Sequence, residues 1–111
     1  MVKRIECVLR PFRIDPMIGA LSEYRQLLHG FWWQDIRVLT EANLVDQSAG
    51  TQFKTPMMAM VHLVVLVEQD HFDRILELVR GGFEGNGHEN ERLLVSDVTN
   101  GEALSPGGPR T

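Results

Sequence analysis

The side chains with the clearest chemical potential lie in a polar stretch near the end of the chain. Gly85, Gly87 and His88 belong to the run Phe-Glu-Gly-Asn-Gly-His-Glu-Asn, and Arg92 follows it. Glycines let backbone N–H groups approach an anion, and a guanidinium suits phosphate or carboxylate. We therefore predict an anion site at this turn and Arg92, the alternative being an ordinary surface arginine at a strand start. Thr40 is assigned to the same candidate site.

His88 is also a weak candidate for a metal ligand, because Glu89 and Glu91 lie close to it in the sequence. A metal site needs three or four ligands, and the sequence offers only these. A solvated polar loop is the alternative, and we predict no complete metal site. His62 interrupts an apolar segment, where a hydrogen-bonded core or interface histidine is expected.

Several function classes are disfavoured. The chain has no Ser-His-Asp order, Walker loop or Cys-x-x-Cys, so we predict that it is not an enzyme. Its formal charge of −4, from 15 acidic and 11 basic residues, disfavours nonspecific nucleic-acid binding. The lone Cys7 cannot form an internal disulfide, which favours the cytoplasm. No apolar run approaches the roughly 20 residues of a membrane-spanning helix, so we expect no membrane insertion.

Hydrophobic periodicity defines the elements that must position these side chains. Period two indicates strands, and apolar residues three and four apart indicate helices. Asp15 and Asp70 precede helical patterns and are predicted as N-caps, with Pro16 at the first helical position. The patterns predict strand 2–9, a helix from Asp15 to His29–Gly30, strand 34–41, strand 57–67, helix 70–82 and strand 92–98.

This order of elements, βαββαβ, predicts an α+β, ferredoxin-like fold. Two helices would cover one face of a four-stranded antiparallel sheet within a domain spanning residues 1–99. Residues 43–56 carry no period and are predicted as a loop, and the Gly/Pro-rich residues 100–111 as a flexible tail.

The segment 57–67 is apolar at both strand parities, yet helices can cover only one sheet face. An uncovered apolar face marks an association site, so a closed homo-oligomer is expected. Phe31, Trp32 and Trp33 cannot all face one core from a strand. We predict that Trp32 and Trp33 contribute to partner binding, with Lys54 from the 43–56 loop; a local cluster at the end of the core is the alternative.

The N-terminal segment carries a family resemblance. Residues 2–15, Val-Lys-Arg-Ile-Glu-Cys-Val-Leu-Arg-Pro-Phe-Arg-Ile-Asp, resemble the opening of PII signalling proteins, with their strand and Arg/Lys-Pro-Phe-Lys corner. Ala20–Leu21 matches the Ala-Leu of the family's first helix, and Val-Leu-Thr-Glu at 38–41 is similar to its Val-Thr-Glu segment.

The resemblance implies a homotrimer with ligand clefts between subunits. It also implies binding of an adenine nucleotide (ATP, ADP or AMP) or a small anion such as bicarbonate. A loop between strands two and three would contact a partner such as a membrane transporter or an enzyme. The expected function is therefore signal transduction through a regulated partner.

The sequence departs from the family in its phosphate loop. The family has Thr-Gly-x-x-Gly-Asp-Gly-Lys before its last strand, whereas Glu89 and Glu91 replace two of these glycines here and Arg92 replaces the lysine. Because carboxylates repel phosphate, both glutamates are expected to weaken nucleotide binding. The 43–56 loop also lacks the family's modified tyrosine, which indicates a divergent member.

Two alternatives remain open from the sequence. One is a ligand-free trimeric interaction module that uses Trp32, Trp33 and the 43–56 loop. The other is a small metal-handling protein of the divalent-cation-tolerance type, which shares this fold.

Overall fold

The computed structural model describes residues 1–39 and 57–99, which form one four-stranded sheet and two helices. The strands lie in the order β2-β3-β1-β4, and each pair of neighbours is antiparallel. This arrangement confirms the predicted ferredoxin-like fold. The elements are β1 (Val2–Leu9), α1 (Ile14–Ser22), β2 (Leu28–Val38), β3 (Met58–Glu68), α2 (Gln69–Gly81) and β4 (Arg92–Val98).

Four predictions concern residues outside the described ranges. These are the loop at 43–56, the tail at 100–111, and the assignments of Thr40 and Lys54. They stay predictions. In the part of the chain that the structure describes, no helix is long and apolar enough to cross a membrane.

The core lies between the helices and one face of the sheet. Ile5 pairs with Val65, and Cys7 with Leu63, so alternate residues of β1 and β3 face the helices together. Each such side chain contributes roughly 1.5–3 kcal/mol on full burial. The buried cluster comprises Ile5, Cys7, Leu9, Met17, Leu21, Val61, Leu63, Val65, Val67, Ile75 and Val79.

The side chains that alternate with these core residues along each strand form the second face of the sheet, which we call the open face. Val64 lies across from Trp32 on β2 and Glu6 on β1, and Glu6 lies across from Leu94 on β4. Leu94 is 57% exposed and Trp32 is 50% exposed. The sequence of β3 is apolar at the positions that point to either face of the sheet. As that pattern predicts, apolar side chains occupy this face as well.

A polar row crosses the open face. His62 Nε2 donates to Glu6 Oε2 at 3.0 Å, and Arg4 Nε lies 3.5 Å from Glu6 Oε1. Arg4 Nε also donates to Ser96 Oγ at 3.2 Å. The expected hydrogen-bonded role of His62 is therefore confirmed.

The first helix is shorter and the second strand longer than predicted. Helix α1 ends at Ser22, and β2 begins at Leu28, so the predicted end at His29–Gly30 is wrong. Tyr24 and Leu28 do pack against the core, but from a 3-10 turn region and a strand. The aromatic residues that follow favour strand pairing with β3, which outweighs continuation of the helix.

The aromatic run lies within β2. Phe31 and Trp33 stack on the helix side with ring centroids 6.1 Å apart, whereas Trp32 lies on the open face. Trp33 is 46% exposed, so the expectation of a surface aromatic is confirmed for both tryptophans.

Both N-cap predictions are wrong. Arg13 and Glu68 occupy the cap positions of α1 and α2, and each predicted aspartate is the second residue of its helix. Asp15 and Asp70 instead place negative charge in the first turn, where the helix dipole favours it.

We predict that the Cys7 thiol is unreactive in the folded protein. Burial, aided by the nearby charges of Glu6 and Glu91, raises the pKa of Cys7 to about 12, whereas an accessible cysteine has a pKa of about 8.5. Iodoacetamide at about pH 8 should modify the thiol only after addition of denaturant, because the thiolate is the nucleophile. Rapid alkylation without denaturant, followed by mass spectrometry, would contradict this burial.

Candidate functional site

The site begins at the corner between β1 and α1. Pro11 cannot donate to a strand ladder, and the chain turns through a single 3-10 turn, Pro11–Arg13. The turn is closed by a hydrogen bond from Arg13 N to Arg10 O at 3.0 Å. This geometry directs the Arg13 side chain inward, where only 3% of it is exposed.

The Arg13 guanidinium organises the loop between α2 and β4. Its Nε donates to Glu91 Oε2 at 2.7 Å. Its Nη1 donates to the carbonyls of Glu84 at 2.9 Å and Gly82 at 3.4 Å, and its Nη2 to that of Asn86 at 2.7 Å. The loop 82–91 therefore wraps around one guanidinium.

Glu91 is the second centre of this network. Its side chain is 3% exposed, and its Oε2 also accepts a hydrogen bond from Arg10 N at 2.8 Å. Its Oε1 lies 3.2 Å from His88 Nδ1. Among the described residues, every buried side-chain nitrogen or oxygen has a partner, as a stable buried ion pair requires.

The loop reaches this shape through three residues with positive φ. Gly85 has φ 100° and Gly87 has φ 88°, values that glycine adopts without steric cost. Asn90 has φ 67°, in the left-handed region where asparagine is also enriched. The predicted glycine turn is therefore present, but the carbonyls of its residues Gly85 and Asn86 point to His88 and Arg13.

Beside this loop lies a cleft of about 220 Å³, which we call the arginine cleft. Arg80 comes from the last turn of α2 and Arg92 from the first residue of β4. Arg92 Nη1 donates to the carbonyl of Glu91 at 2.9 Å, which holds the guanidinium near the cleft. Two arginines beside the apolar side chains of Phe83 and Leu93 suit an anion that carries some apolar surface. The lining residues are Arg80, Phe83, His88, Glu91, Arg92 and Leu93.

The structure brings together His88 and Arg92 in this cleft, with Gly85 and Gly87 in the adjoining loop. The carboxylate of Glu91 is turned inward and paired with Arg13, so the weakening of nucleotide binding expected from Glu91 stays a prediction. Glu89 is exposed, and its expected weakening of nucleotide binding also stays a prediction.

Sequence reasoning missed the residues that build the site from elsewhere in the chain. Arg13 and Glu91 are 78 positions apart, and Arg80 lies on the exposed side of α2. The only local signal was the basic residue that follows Pro11–Phe12. Trp32 and Trp33 lie on β2, at the sheet edge opposite β4, so they are not part of this cleft.

Within residues 1–39 and 57–99, no group of three His, Cys, Asp or Glu side chains is placed to hold a metal ion. His88 Nε2 lies 2.6 Å from the carbonyl oxygen of Gly85, and His88 Nδ1 faces Glu91. Both ring nitrogens are therefore engaged by groups of the protein itself.

Comparison with known proteins shows the fold. No protein-family model matches the sequence, and no curated protein matches it. PII from Arabidopsis thaliana, solved with bound citrate, matches with a TM-score of 0.65 and 18% identity, covering 88% of this chain and 78% of that one. A DUF3240 family protein from Shewanella baltica matches with a TM-score of 0.66 and 12% identity, covering 94% and 97%. This chain has a PII-like fold, as its N-terminal resemblance predicts.

We predict that replacing Arg13 destabilises the protein strongly. Arg13→Met should lower the free energy of unfolding by about 3–5 kcal/mol, because Glu91 would remain charged, buried and without its partner. The double variant Arg13→Met/Glu91→Gln should recover part of that loss, since it removes the buried charge. Urea denaturation followed by circular dichroism measures both. Equal stability of Arg13→Met and the unchanged protein would show that the pair is not buried.

Proposed function

We propose that this chain is a PII-like regulatory protein, which binds a small anion or an adenine nucleotide at the arginine cleft. Its copies would associate through the open face as a homotrimer, and ligand binding would regulate a partner such as a membrane transporter or an enzyme. The proposal starts from the PII-like fold and depends on the chemistry of the cleft.

The observation that carries the proposal is the convergence of Arg80, Arg92 and His88 on one cleft beside a preorganised loop. The loop is held by four hydrogen bonds from Arg13, so little ordering remains to be done on binding. The ion pair with Arg13 also offsets the negative charge of Glu91, which lines the cleft and would otherwise oppose an anion.

The size of the cleft favours a small anion within one protomer. Its volume of about 220 Å³ is below the roughly 300–1,000 Å³ of pockets that hold drug-sized ligands. A whole nucleotide would therefore need additional surface, which a second copy could supply. The citrate bound to the Arabidopsis PII is a small polycarboxylate, which supports an anion of this class.

Association through the open face is supported by the two exposed apolar side chains at its edges, Leu94 and Trp32. Apolar side chains exposed to water favour burial against another copy, and closed symmetry satisfies every copy equally. Because Glu6 pairs with both His62 and Arg4, the polar row could enter such an interface with its charges matched.

We predict that Arg92→Gln and Arg80→Gln each weaken ligand binding by at least about tenfold, because each removes a charge-assisted contact worth roughly 1.5–3 kcal/mol. Calorimetric titration with ATP, ADP, AMP, bicarbonate and citrate measures the effect. Arg25→Gln is the matched control, since Arg25 is an exposed arginine in the 3-10 turn before β2. It should bind as the unchanged protein does.

The same titrations separate the alternatives. Lack of binding to all five ligands would contradict the proposed ligand site. The exposed Trp32 and Trp33 would then favour a ligand-free interaction module, in which a Trp32→Ala/Trp33→Ala variant loses its protein partner. Arg25→Gln losing affinity as much as Arg92→Gln would show that general charge, not the cleft, attracts the ligand.

We predict that Leu94→Asp dissociates the oligomer, whereas Val95→Asp does not. The two residues are adjacent on β4 and similarly exposed, at 57% and 45%, but Leu94 lies on the open face and Val95 on the helix side. A buried unpaired carboxylate disfavours the interface by several kcal/mol. Light scattering after size exclusion measures the mass. An unchanged protein that is monomeric at micromolar concentration would rule out the proposed assembly.

A further inference from the structure

His88 links Gly85 to Glu91 within the loop that borders the arginine cleft. Its Nε2 donates to the carbonyl oxygen of Gly85 at 2.6 Å, and its Nδ1 lies 3.2 Å from Glu91 Oε1. The backbone adds a third link, because Glu91 N donates to His88 O at 3.0 Å. The imidazole thus closes residues 85–91 into a compact unit.

Both partners of the ring are acceptors. A carbonyl oxygen and an ionised carboxylate can only accept hydrogen bonds, whereas a neutral imidazole donates from one nitrogen and accepts at the other. Only the imidazolium satisfies Gly85 O and Glu91 Oε1 together. In the neutral form that keeps the shorter bond, the lone pair of Nδ1 faces the lone pairs of Glu91 Oε1.

The charges around His88 come from four parts of the fold. Arg80 belongs to α2, where its Nη1 lies 3.8 Å from Glu77 Oε1. Arg92 belongs to β4, and Arg10 and Arg13 to the corner after β1. The loop itself contributes the carboxylate of Glu91 and the exposed charges of Glu84 and Glu89.

The two carboxylate oxygens of Glu91 have different partners. Arg13 Nε and Arg10 N occupy its Oε2, while Oε1 faces His88. His88 can therefore change its charge while the ion pair between Arg13 and Glu91 stays in place.

We infer that His88 is a proton-dependent latch for the arginine cleft, a conclusion that rests on the proposed anion site. A protonated His88 closes the loop and adds a third positive charge beside Arg80 and Arg92. A neutral His88 releases Glu91 Oε1 and removes that charge. Histidine is the side chain whose charge ordinarily responds to pH near neutrality, which makes this link testable by varying pH.

Proton and anion must then strengthen each other's binding, because linkage between two sites is reciprocal. Anion binding favours the imidazolium and takes up a proton from solution. As pH rises and the proton is lost, the affinity for the anion falls by up to about tenfold per pH unit for a single linked proton.

The first test uses sulfate, a dianion that does not titrate in this range. Calorimetric titration between about pH 6 and 8, in two buffers of different ionisation enthalpy, gives the affinity and the protons taken up. We expect the affinity of the unchanged protein to fall with pH and up to one proton to be taken up per sulfate bound. His88→Gln, which cannot gain a charge, should show neither effect.

The matched control is His71→Gln. His71 lies in the first turn of α2 and lines a separate pocket with His29 and Glu68. Its replacement should leave both the pH dependence and the proton uptake at the values of the unchanged protein. If His71→Gln abolished the proton uptake as His88→Gln does, the assignment to His88 would be wrong.

The second test needs no ligand. Amide hydrogen exchange of Glu91, corrected for the intrinsic effect of pH, reports whether its bond to His88 O is closed. Protection should fall as pH rises in the unchanged protein and should be independent of pH in His88→Gln.

The outcomes separate the latch from the proposed function. Sulfate binding with no proton uptake through His88 overturns the latch and leaves the anion site standing. If neither sulfate nor any ligand of the earlier titrations binds, the proposed function is overturned. Hydrogen exchange is then the remaining test of the latch. Protection of the Glu91 amide that does not change with pH overturns the latch in either case.

Discussion

The buried ion pair between Arg13 and Glu91 is the interaction on which the site depends. Removing two charges from water is costly, and their attraction offsets that cost only when the remaining donors and acceptors are also satisfied. Arg13 meets this requirement by donating to three loop carbonyls as well as to Glu91. The shape of the loop 82–91 follows from the need to surround one guanidinium.

This internal pairing fixes where the loop carbonyls point. The carbonyls of Gly82, Glu84 and Asn86 point to Arg13, so the positive character of the cleft comes from the side chains of Arg80 and Arg92. Those side chains are positioned by the end of α2 and the start of β4, the two elements that the loop connects. A guanidinium recognises carboxylate and phosphate alike, so the proposed anion site is compatible with either class of ligand.

A second constraint comes from β3, which lies between β2 and β1 and is apolar at both parities. Its helix-facing side chains, such as Leu63 and Val65, are completely buried in the core. Its other parity supplies the centre of the open face. The same strand therefore stabilises the protomer and provides the surface proposed for association, while β4 contributes both to that face and to the cleft.

Local sequence patterns were sufficient to predict the elements with an unambiguous period: β1, β3, α2 and β4, with the polar loop before Arg92. It misplaced the junction of α1 and β2, because Tyr24 and Leu28 extend a helical period although they reach the core from a turn region and a strand. The pairing of Glu91, in contrast, became visible only in the folded chain. Its partner Arg13 is 78 residues away, and a contact across that distance does not affect local periodicity. Whether a carboxylate faces a ligand or pairs with a buried arginine depends on where folding places the arginine.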